Sequence, residues 1–95
     1  MHVISFRRLR EFFSIHPDAE SALTAWNNAV KKVHWQNLAE LKQVYPSADL
    51  VGDFTVFNIR GNRYRLIAWI NYRNQTLFVK AVLTHEEYDL GKWKE

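Results

Sequence analysis

Several side chains in the second half of this sequence have types that suit phosphate chemistry. A histidine near neutrality can act as a general base or acid, and Arg or Lys can neutralise the charge that builds on a phosphoryl group in its transition state. A tyrosine can orient a proton or stack on a nucleobase. Together these types suit metal-free cleavage of RNA, in which the ribose 2′-hydroxyl attacks the adjacent phosphate. The candidates are Arg60, Arg63, Arg65, Lys80, His85, Tyr88 and Lys92.

Other catalytic and metal-binding patterns are missing from the sequence. The basic stretch lacks the paired carboxylates that hold two metal ions, and the chain has no Gly-rich phosphate loop, HExxH motif or Ser-His-Asp order. It contains no cysteine, and hence no thiolate ligand. His2, His16 and His34 have no spacing that suggests a metal site. We therefore expect neither a metal nor a cofactor.

Five of the seven candidates lie in a stretch of unusual charge. Residues 54–85 contain four arginines, one lysine and no Asp or Glu, whereas residues 1–50 are nearly balanced. A basic, aromatic and acid-free surface suits a polyanion, and RNA is the leading candidate. Two simpler interpretations remain open. The arginines could be the solvated face of a sheet, and a lone histidine such as His85 could simply cap a turn.

Length and composition indicate one small domain over residues 1–95. Of these residues 47% are apolar, which is enough for a modest core. The sequence has no apolar run long enough to span a membrane and no signal-peptide hydrophobic region. Together with the absence of cysteine, this predicts a cytoplasmic protein without membrane association.

Apolar spacing predicts two N-terminal helices over residues 6–15 and 19–33. Pro17 separates them, and Asp18 is the expected N-cap of the second. The helices should pack as an antiparallel hairpin because the connection is short. Asn37 could cap a short third helix. Near the C-terminus, Thr84 and Glu87 have the spacing of a capping box and predict one short helical turn.

Three strands are predicted over residues 55–60, 63–72 and 76–83, with Gly61-Asn62 as a two-residue turn between the first pair. In the last strand, Leu77, Val79, Ala81 and Leu83 alternate as one apolar face for the helices. The opposite face should display the following residues: Arg65, Lys80, Trp69 and Phe78, joined by Asn58 and Arg60. A slip of one residue in register would reverse the faces.

These elements predict an α+β fold. Two N-terminal helices and a short third one pack on a twisted, mainly antiparallel sheet of about four strands. Residues 2–5 are the candidate for the fourth strand, and Leu50-Val51 is a further short candidate. The aromatic side chains of Trp69 and Phe78 either stack on RNA or lie under the C-terminal segment.

Two segments of the chain resemble the HigB toxin family of the RelE/ParE superfamily. The first runs from Val56 to Leu66 and contains Gly61-Asn62 followed by Arg65; the second, residues 79–89, contains Thr84-His85-Glu86-Glu87-Tyr88-Asp89. Residues 2–5 and 45–49 are also similar to the family. The resemblance implies a RelE/ParE-like fold, two N-terminal helices on a twisted antiparallel sheet, in agreement with the reading from the residues.

The resemblance also implies a function. Members are toxins of type II toxin–antitoxin systems, metal-independent mRNA interferases that often cleave mRNA on the translating ribosome. The implied partners are a HigA-like helix-turn-helix antitoxin, mRNA and the ribosome. Operator DNA would be bound only through the toxin–antitoxin complex.

Matching by motif position implies a catalytic set and a wider RNA-binding set. His85 would transfer protons, Arg65 and Lys80 would hold the phosphate, and Tyr88 would orient or stack. The matching also implies Arg60 and Lys92 as RNA-binding residues. The basic, aromatic stretch itself adds the other RNA-binding candidates, Arg63, Trp69, Phe78 and Arg73.

Two other functions remain open. The first is a ParE-like toxin that inhibits gyrase, against which the clustered Arg65, Lys80, His85 and Tyr88 argue. The second is a non-catalytic RNA-binding module that uses Trp69, Phe78 and the arginines. Substitution of His85 by Ala would distinguish a module from a nuclease, because binding would survive while cleavage would be lost.

Overall fold

The computed structural model describes residues 1–94, which form four α-helices and five strands. None of the helices in this part of the chain is long and apolar enough to cross a membrane. The helices are α1 (Phe6–Ile15), α2 (Glu20–Lys32), α3 (Leu38–Val44) and α4 (His85–Leu90), with 3-10 turns at Pro17–Ala19 and Lys92–Lys94. The strands are β1 (His2–Ile4), β2 (Asp49–Val51), β3 (Phe54–Ile59), β4 (Tyr64–Asn71) and β5 (Thr76–Thr84).

All five strands form one sheet in the order β1-β5-β4-β3-β2. β2 to β5 are an antiparallel meander, and β1 joins the outer edge of β5 in parallel. The α+β class and the antiparallel centre are confirmed, but the sheet has five strands instead of about four. Both short candidate strands pair at an edge, where three residues gain ladder hydrogen bonds that sequence periodicity cannot reveal.

The main core lies between the helices and one face of the sheet. Leu9 of α1 and Leu23 and Val30 of α2 are fully buried. They form one cluster with residues of the three central strands, as the apolar stripes predicted. The sheet contributes Phe57, Leu66, Ala68, Leu77 and Val79 to this cluster.

A β-bulge changes the faces of β5 midway along the strand. Ala68 pairs with Val79 and Ile67 pairs with Ala81, so Lys80 is the extra residue of β5. An extra residue shifts side-chain alternation by one position for the rest of a strand. The faces predicted from simple alternation therefore hold only as far as the bulge.

The predicted placement of Ala81 and Leu83 against the helices is wrong because of this bulge. Val82 turns toward the main core instead. Ala81 and Leu83 pack on the opposite face, in a second cluster around Val56, Ile67 and Trp93. The sheet face that carries Arg65 thus has an apolar cluster of its own.

The hairpin between β3 and β4 is longer than predicted. Ile59 pairs with Tyr64, so the reversal comprises residues 60–63 instead of Gly61-Asn62 alone. Arg60 and Gly61 both have left-handed backbone angles, with φ of 53° and 65°. Arg60 leaves the ladder in this conformation, which glycine adopts readily and other residues adopt rarely.

Candidate functional site

Helix α4 positions two of the predicted catalytic side chains, and its start is fixed by local sequence. Thr84 Oγ1 accepts from the Glu87 amide, and Glu87 Oε1 accepts from the Thr84 amide, so the predicted capping box is formed. The helix ends at Gly91, whose φ of 75° suits glycine. His85 and Tyr88 therefore project from a short, doubly capped turn directly after β5.

His85 lies between an arginine and a carboxylate. Arg65 Nη2 is 3.3 Å from His85 Nδ1, and His85 Nε2 is 3.1 Å from Asp89 Oδ2. A guanidinium can only donate a hydrogen bond, so Nδ1 must accept and the ring hydrogen lies on Nε2, toward Asp89. His85 is thus held as the tautomer whose basic nitrogen faces Arg65, and hence the position of a phosphate bound there.

Arg65 is held in place by backbone and aromatic contacts. Its Nη1 donates to the carbonyls of Asn62 (2.9 Å) and Tyr64 (3.3 Å). Its guanidinium carbon lies 5.5 Å from the centre of the Tyr88 ring, within the range of a cation–π contact. A guanidinium held through Nη1 and its ring contact before substrate arrives can stabilise developing charge with little reorganisation.

Tyr88 is supported from behind by Trp93. The two rings are stacked with centroids 5.2 Å apart and an interplanar angle of 15°, and Trp93 Nε1 donates to the Tyr88 carbonyl at 3.2 Å. Trp93 is only 9% exposed. The C-terminal segment therefore packs under the catalytic candidates.

Lys80 and Lys92 border a cleft of about 440 Å³ beside α4. Lys80 is the bulge residue, and its ammonium lies 4.2 Å from the centre of the Phe54 ring. The cleft, called the α4 cleft below, is lined by Lys80, Leu83, Glu87, Leu90, Lys92 and Trp93. Four of the predicted site residues, Arg65, Lys80, His85 and Tyr88, thus lie on or beside α4 and the sheet face that it borders.

Arg60 and Arg63 do not join this group. Both are paired with Asp18, which precedes α2, Arg60 through a close contact of Nη1 and Arg63 at 3.8 Å. The expected position of Arg60 beside Arg65 is therefore wrong, since the left-handed backbone directs its side chain to the helix side. Whether these two arginines contact RNA stays a prediction.

Asp18 also does not cap α2 as predicted. Tyr64 Oη hydrogen-bonds to both carboxylate oxygens at 2.7 Å, and no side chain caps α2. The bond from Tyr64, followed by the charges of Arg60 and Arg63, holds the pKa of Asp18 below its ordinary value. The same bond raises the pKa of Tyr64. This cluster stabilises the packing of the helices against the β3–β4 turn.

Trp69 and Phe78 are exposed on the sheet face of Arg65, but at a distance from it. They are paired across β4 and β5, and Ile4 of β1 pairs with Phe78. Trp69 lies four residues from Arg65, roughly 13 Å along the strand. Neither ring lies under the C-terminal segment, so both are accessible for stacking. Arg73 is exposed in the β4–β5 turn beyond them.

Asp89 and Glu87 are residues of this site that sequence reasoning missed. The signal for Asp89 was its i, i+4 spacing from His85, which places two side chains on one face of a helix. For Glu87, the sequence indicates only a capping role. Within residues 1–94, no group of three or more His, Asp and Glu side chains is arranged to hold a metal ion.

Comparison with known proteins identifies a family and relatives that this chain is similar to. The sequence model of the family HigB_toxin, described as the RelE-like toxic component of a toxin-antitoxin system, matches residues 19–91. These residues include the whole of helix α4. The mRNA interferase toxin HigB of Escherichia coli K12 is 32% identical over 92 residues, or 94% of this chain and 88% of the relative. The mRNA interferase HigB of Shigella flexneri has the same values. That of E. coli O6:H1 is 30% identical, with 94% and 89% covered.

Proposed function

This chain belongs to the HigB family of RelE-like toxins from toxin–antitoxin systems, and from that premise we propose that it is an mRNA interferase. It cleaves mRNA without a metal ion and thereby inhibits translation. The relatives that it matches over nearly their whole length carry the name mRNA interferase. The observation that carries the proposal is the contact of His85 with Arg65 and Asp89 on the open sheet face.

The proposed reaction uses the ribose 2′-hydroxyl as nucleophile. The phosphate replaces His85 Nδ1 as the acceptor of Arg65 Nη2, and the freed Nδ1 takes the proton of this hydroxyl. The 2′-oxygen attacks the adjacent phosphorus while the bond to the 5′-oxygen breaks. The products are a 2′,3′-cyclic phosphate and a free 5′-hydroxyl. Asp89, bonded to Nε2, stabilises the imidazolium that forms, in the way that a carboxylate orients histidine in other general-base pairs.

The cations beside His85 serve the phosphate. Arg65 and Lys80 neutralise the negative charge that develops on the non-bridging oxygens. Lys80 and Lys92 are the candidates for giving a proton to the leaving 5′-oxygen. Tyr88 orients Arg65 through its ring, which Trp93 supports by stacking.

A toxin of this family has an antitoxin as its partner. We propose that this antitoxin is HigA-like, with a helix-turn-helix domain, and that the toxin reaches operator DNA only within that complex. The other proposed partners are mRNA and the translating ribosome. The proposed site of action is the cytoplasm, where mRNA is translated.

The test is controlled expression of the chain in a bacterial host, with primer-extension mapping of a reporter mRNA. We expect growth arrest and new 5′ ends inside translated codons for the wild-type chain. His85→Ala should abolish both, while His2→Ala, at an exposed histidine of β1, should retain them. Arrest with intact mRNA would instead favour a gyrase inhibitor. RNA binding without arrest or cleavage would favour a non-catalytic module, for which the exposed Trp69–Phe78 pair is the supporting observation.

A further inference from the structure

The α4 cleft is large for a surface feature of so small a chain, and the cleavage chemistry above uses only its rim. Its volume of about 440 Å³ falls in the range of small-molecule sites. Leu83, Leu90 and Trp93 form apolar walls, and Leu90 is 70% exposed. The α4 cleft is open and apolar and adjoins the proposed nuclease site, so it suits a ligand with a flat, apolar surface.

The charges at the cleft favour a nucleotide as this occupant. Lys80 and Lys92 both line it, and two ammonium groups beside apolar walls match a phosphate next to a base. The cleft is also continuous with the catalytic side chains. Trp93 stacks on Tyr88, and the Tyr88 ring lies against Arg65. A base in the cleft therefore adjoins the nucleotide whose phosphate contacts Arg65.

Glu87 gives the cleft a means of distinguishing bases. Its Oε1 accepts from the Thr84 amide at 2.9 Å, whereas Oε2 makes no hydrogen bond within residues 1–94. A carboxylate oxygen only accepts hydrogen bonds. It suits the exocyclic amino groups of guanine, adenine and cytosine, just as acidic side chains accept from cytosine N4 in duplex DNA. Uracil has carbonyl oxygens in those positions, which a carboxylate repels.

We propose that the α4 cleft is a nucleobase subsite that binds a base next to the cleaved bond. It favours bases with an exocyclic amino group over uracil, and Glu87 is the residue that makes the distinction. The role of this subsite in cleavage rests on the proposed function, but the binding of free nucleotides does not.

The direct test is titration of the folded protein with GMP, AMP, CMP and UMP, followed by NMR. The signals to follow are the Trp93 indole and the methyl groups of Leu83 and Leu90. UMP should bind at least about tenfold more weakly than GMP, since one good base contact discriminates roughly 5- to 150-fold. Inorganic phosphate alone should leave the Leu90 methyl groups unshifted.

Glu87→Gln is the variant that tests the distinguishing residue. Glutamine also serves at the third position of a capping box, so α4 should remain folded. Its Oε1 stays in the cap, so Nε2 takes the place of Oε2 and donates instead of accepting, which suits the carbonyl oxygens of uracil and of guanine alike. We expect the difference between GMP and UMP to fall within about threefold.

Leu90→Ala tests the apolar wall, with Val44→Ala as the matched control. Both residues are exposed aliphatic side chains at the end of a helix, but Val44 lies on α3 and does not line the cleft. Leu90→Ala should weaken all four nucleotides by a similar factor of about three to ten, and Val44→Ala should weaken none.

Three results would overturn the subsite. The first is equal affinity for all four nucleotides, and the second is that phosphate alone reproduces the shifts. The third is that the NMR signals of the cleft residues do not change with nucleotides but do change when an antitoxin purified together with the chain binds. The last would make the cleft a protein-docking groove. A chain that distinguishes nucleotides but leaves RNA intact would contradict the proposed function and not the subsite.

Discussion

At the scale of single residues, the site depends on which nitrogen of His85 carries the hydrogen and which one can accept a proton. Arg65 donates toward Nδ1, and Asp89 receives from Nε2. Asp89 is therefore a positioning residue, because it acts through His85 and not on the substrate. Sequence reasoning found His85 and Arg65 from their types and motifs. It missed Asp89 because an exposed acid one turn along a helix is usually only solvated.

Replacing Asp89 by Asn should lower the cleavage rate about 10- to 100-fold, a part of the 10²- to 10⁴-fold that general base catalysis contributes. The amide oxygen can still accept from Nε2 and Arg65 still donates toward Nδ1, so the ¹⁵N shifts of His85 should show the same tautomer. What is lost is the negative charge that stabilises the imidazolium.

Glu86→Gln is the matched control for this change, because Glu86 is the exposed acid of α4 without a hydrogen bond or ion pair in residues 1–94. It should leave both the rate and the tautomer unchanged. An Asp89→Asn protein with an unchanged tautomer and a wild-type rate would refute the role of Asp89.

Asp18 is the second residue whose contacts predict a measurable effect, here on acid stability. The pKa of Asp18 is lowered in the folded state by Tyr64 and the two arginines. Its ionised form therefore stabilises the fold fully above the unfolded-state pKa of about 3.9, and this contribution is lost as the pH falls through the folded-state value.

Asp18→Asn should thus unfold at a lower urea concentration than wild type at pH 7, and the difference should close on acidification below about pH 4. Urea titrations at a series of pH values measure this. Asp53→Asn, at a carboxylate without a hydrogen bond or ion pair in residues 1–94, should show no such gap. A gap of constant size down to pH 2 would contradict the assigned cause.

At the scale of elements, α4 is the part that determines whether the site forms. It has only six residues, too few to be stable alone, so its caps and its packing on Trp93 must hold it. The capping box could be predicted because its signal is local, three residues apart in the sequence. The bulge at Lys80 could not, because nothing in the composition of β5 distinguishes a bulged strand from a regular one.

Thr84→Ala tests this dependence of the site on α4. Loss of the cap should destabilise the protein by about 1 kcal/mol and should lower cleavage by more than this loss of folded protein explains, because His85 and Asp89 lose their fixed geometry. The measurements are urea unfolding and the cleavage rate of the same preparations.

Asn37→Ala is the matched control, since Asn37 caps α3 by accepting from the Glu40 amide at 3.0 Å. It should cost a similar stability and leave cleavage by the folded protein unchanged. Equal effects of the two substitutions on cleavage would mean that α4 does not position the site.

At the scale of the whole molecule, the sequence predicted what depends on local pattern. The helix stripes, the central meander and the third-helix cap are all encoded within a few residues of each other. Apart from the local contact of Asp89, the contacts that sequence reasoning missed join distant segments. Arg60 and Tyr64 bind Asp18 across 42 and 46 residues, and β1 pairs with β5 at a separation of 74 residues, as between His2 and Thr76. Such partners follow from the packing of helices on the sheet and leave no periodic signal.

The measurement that tests the central claim most directly is cleavage of a short RNA by the purified protein in excess EDTA. Analysis of the products should find a 2′,3′-cyclic phosphate on one fragment and a 5′-hydroxyl on the other, with His85→Ala inactive and Glu86→Gln active. If cleavage stops in EDTA and returns with added metal ions, or if His85→Ala cleaves as fast as wild type, the metal-free role given to His85 is contradicted.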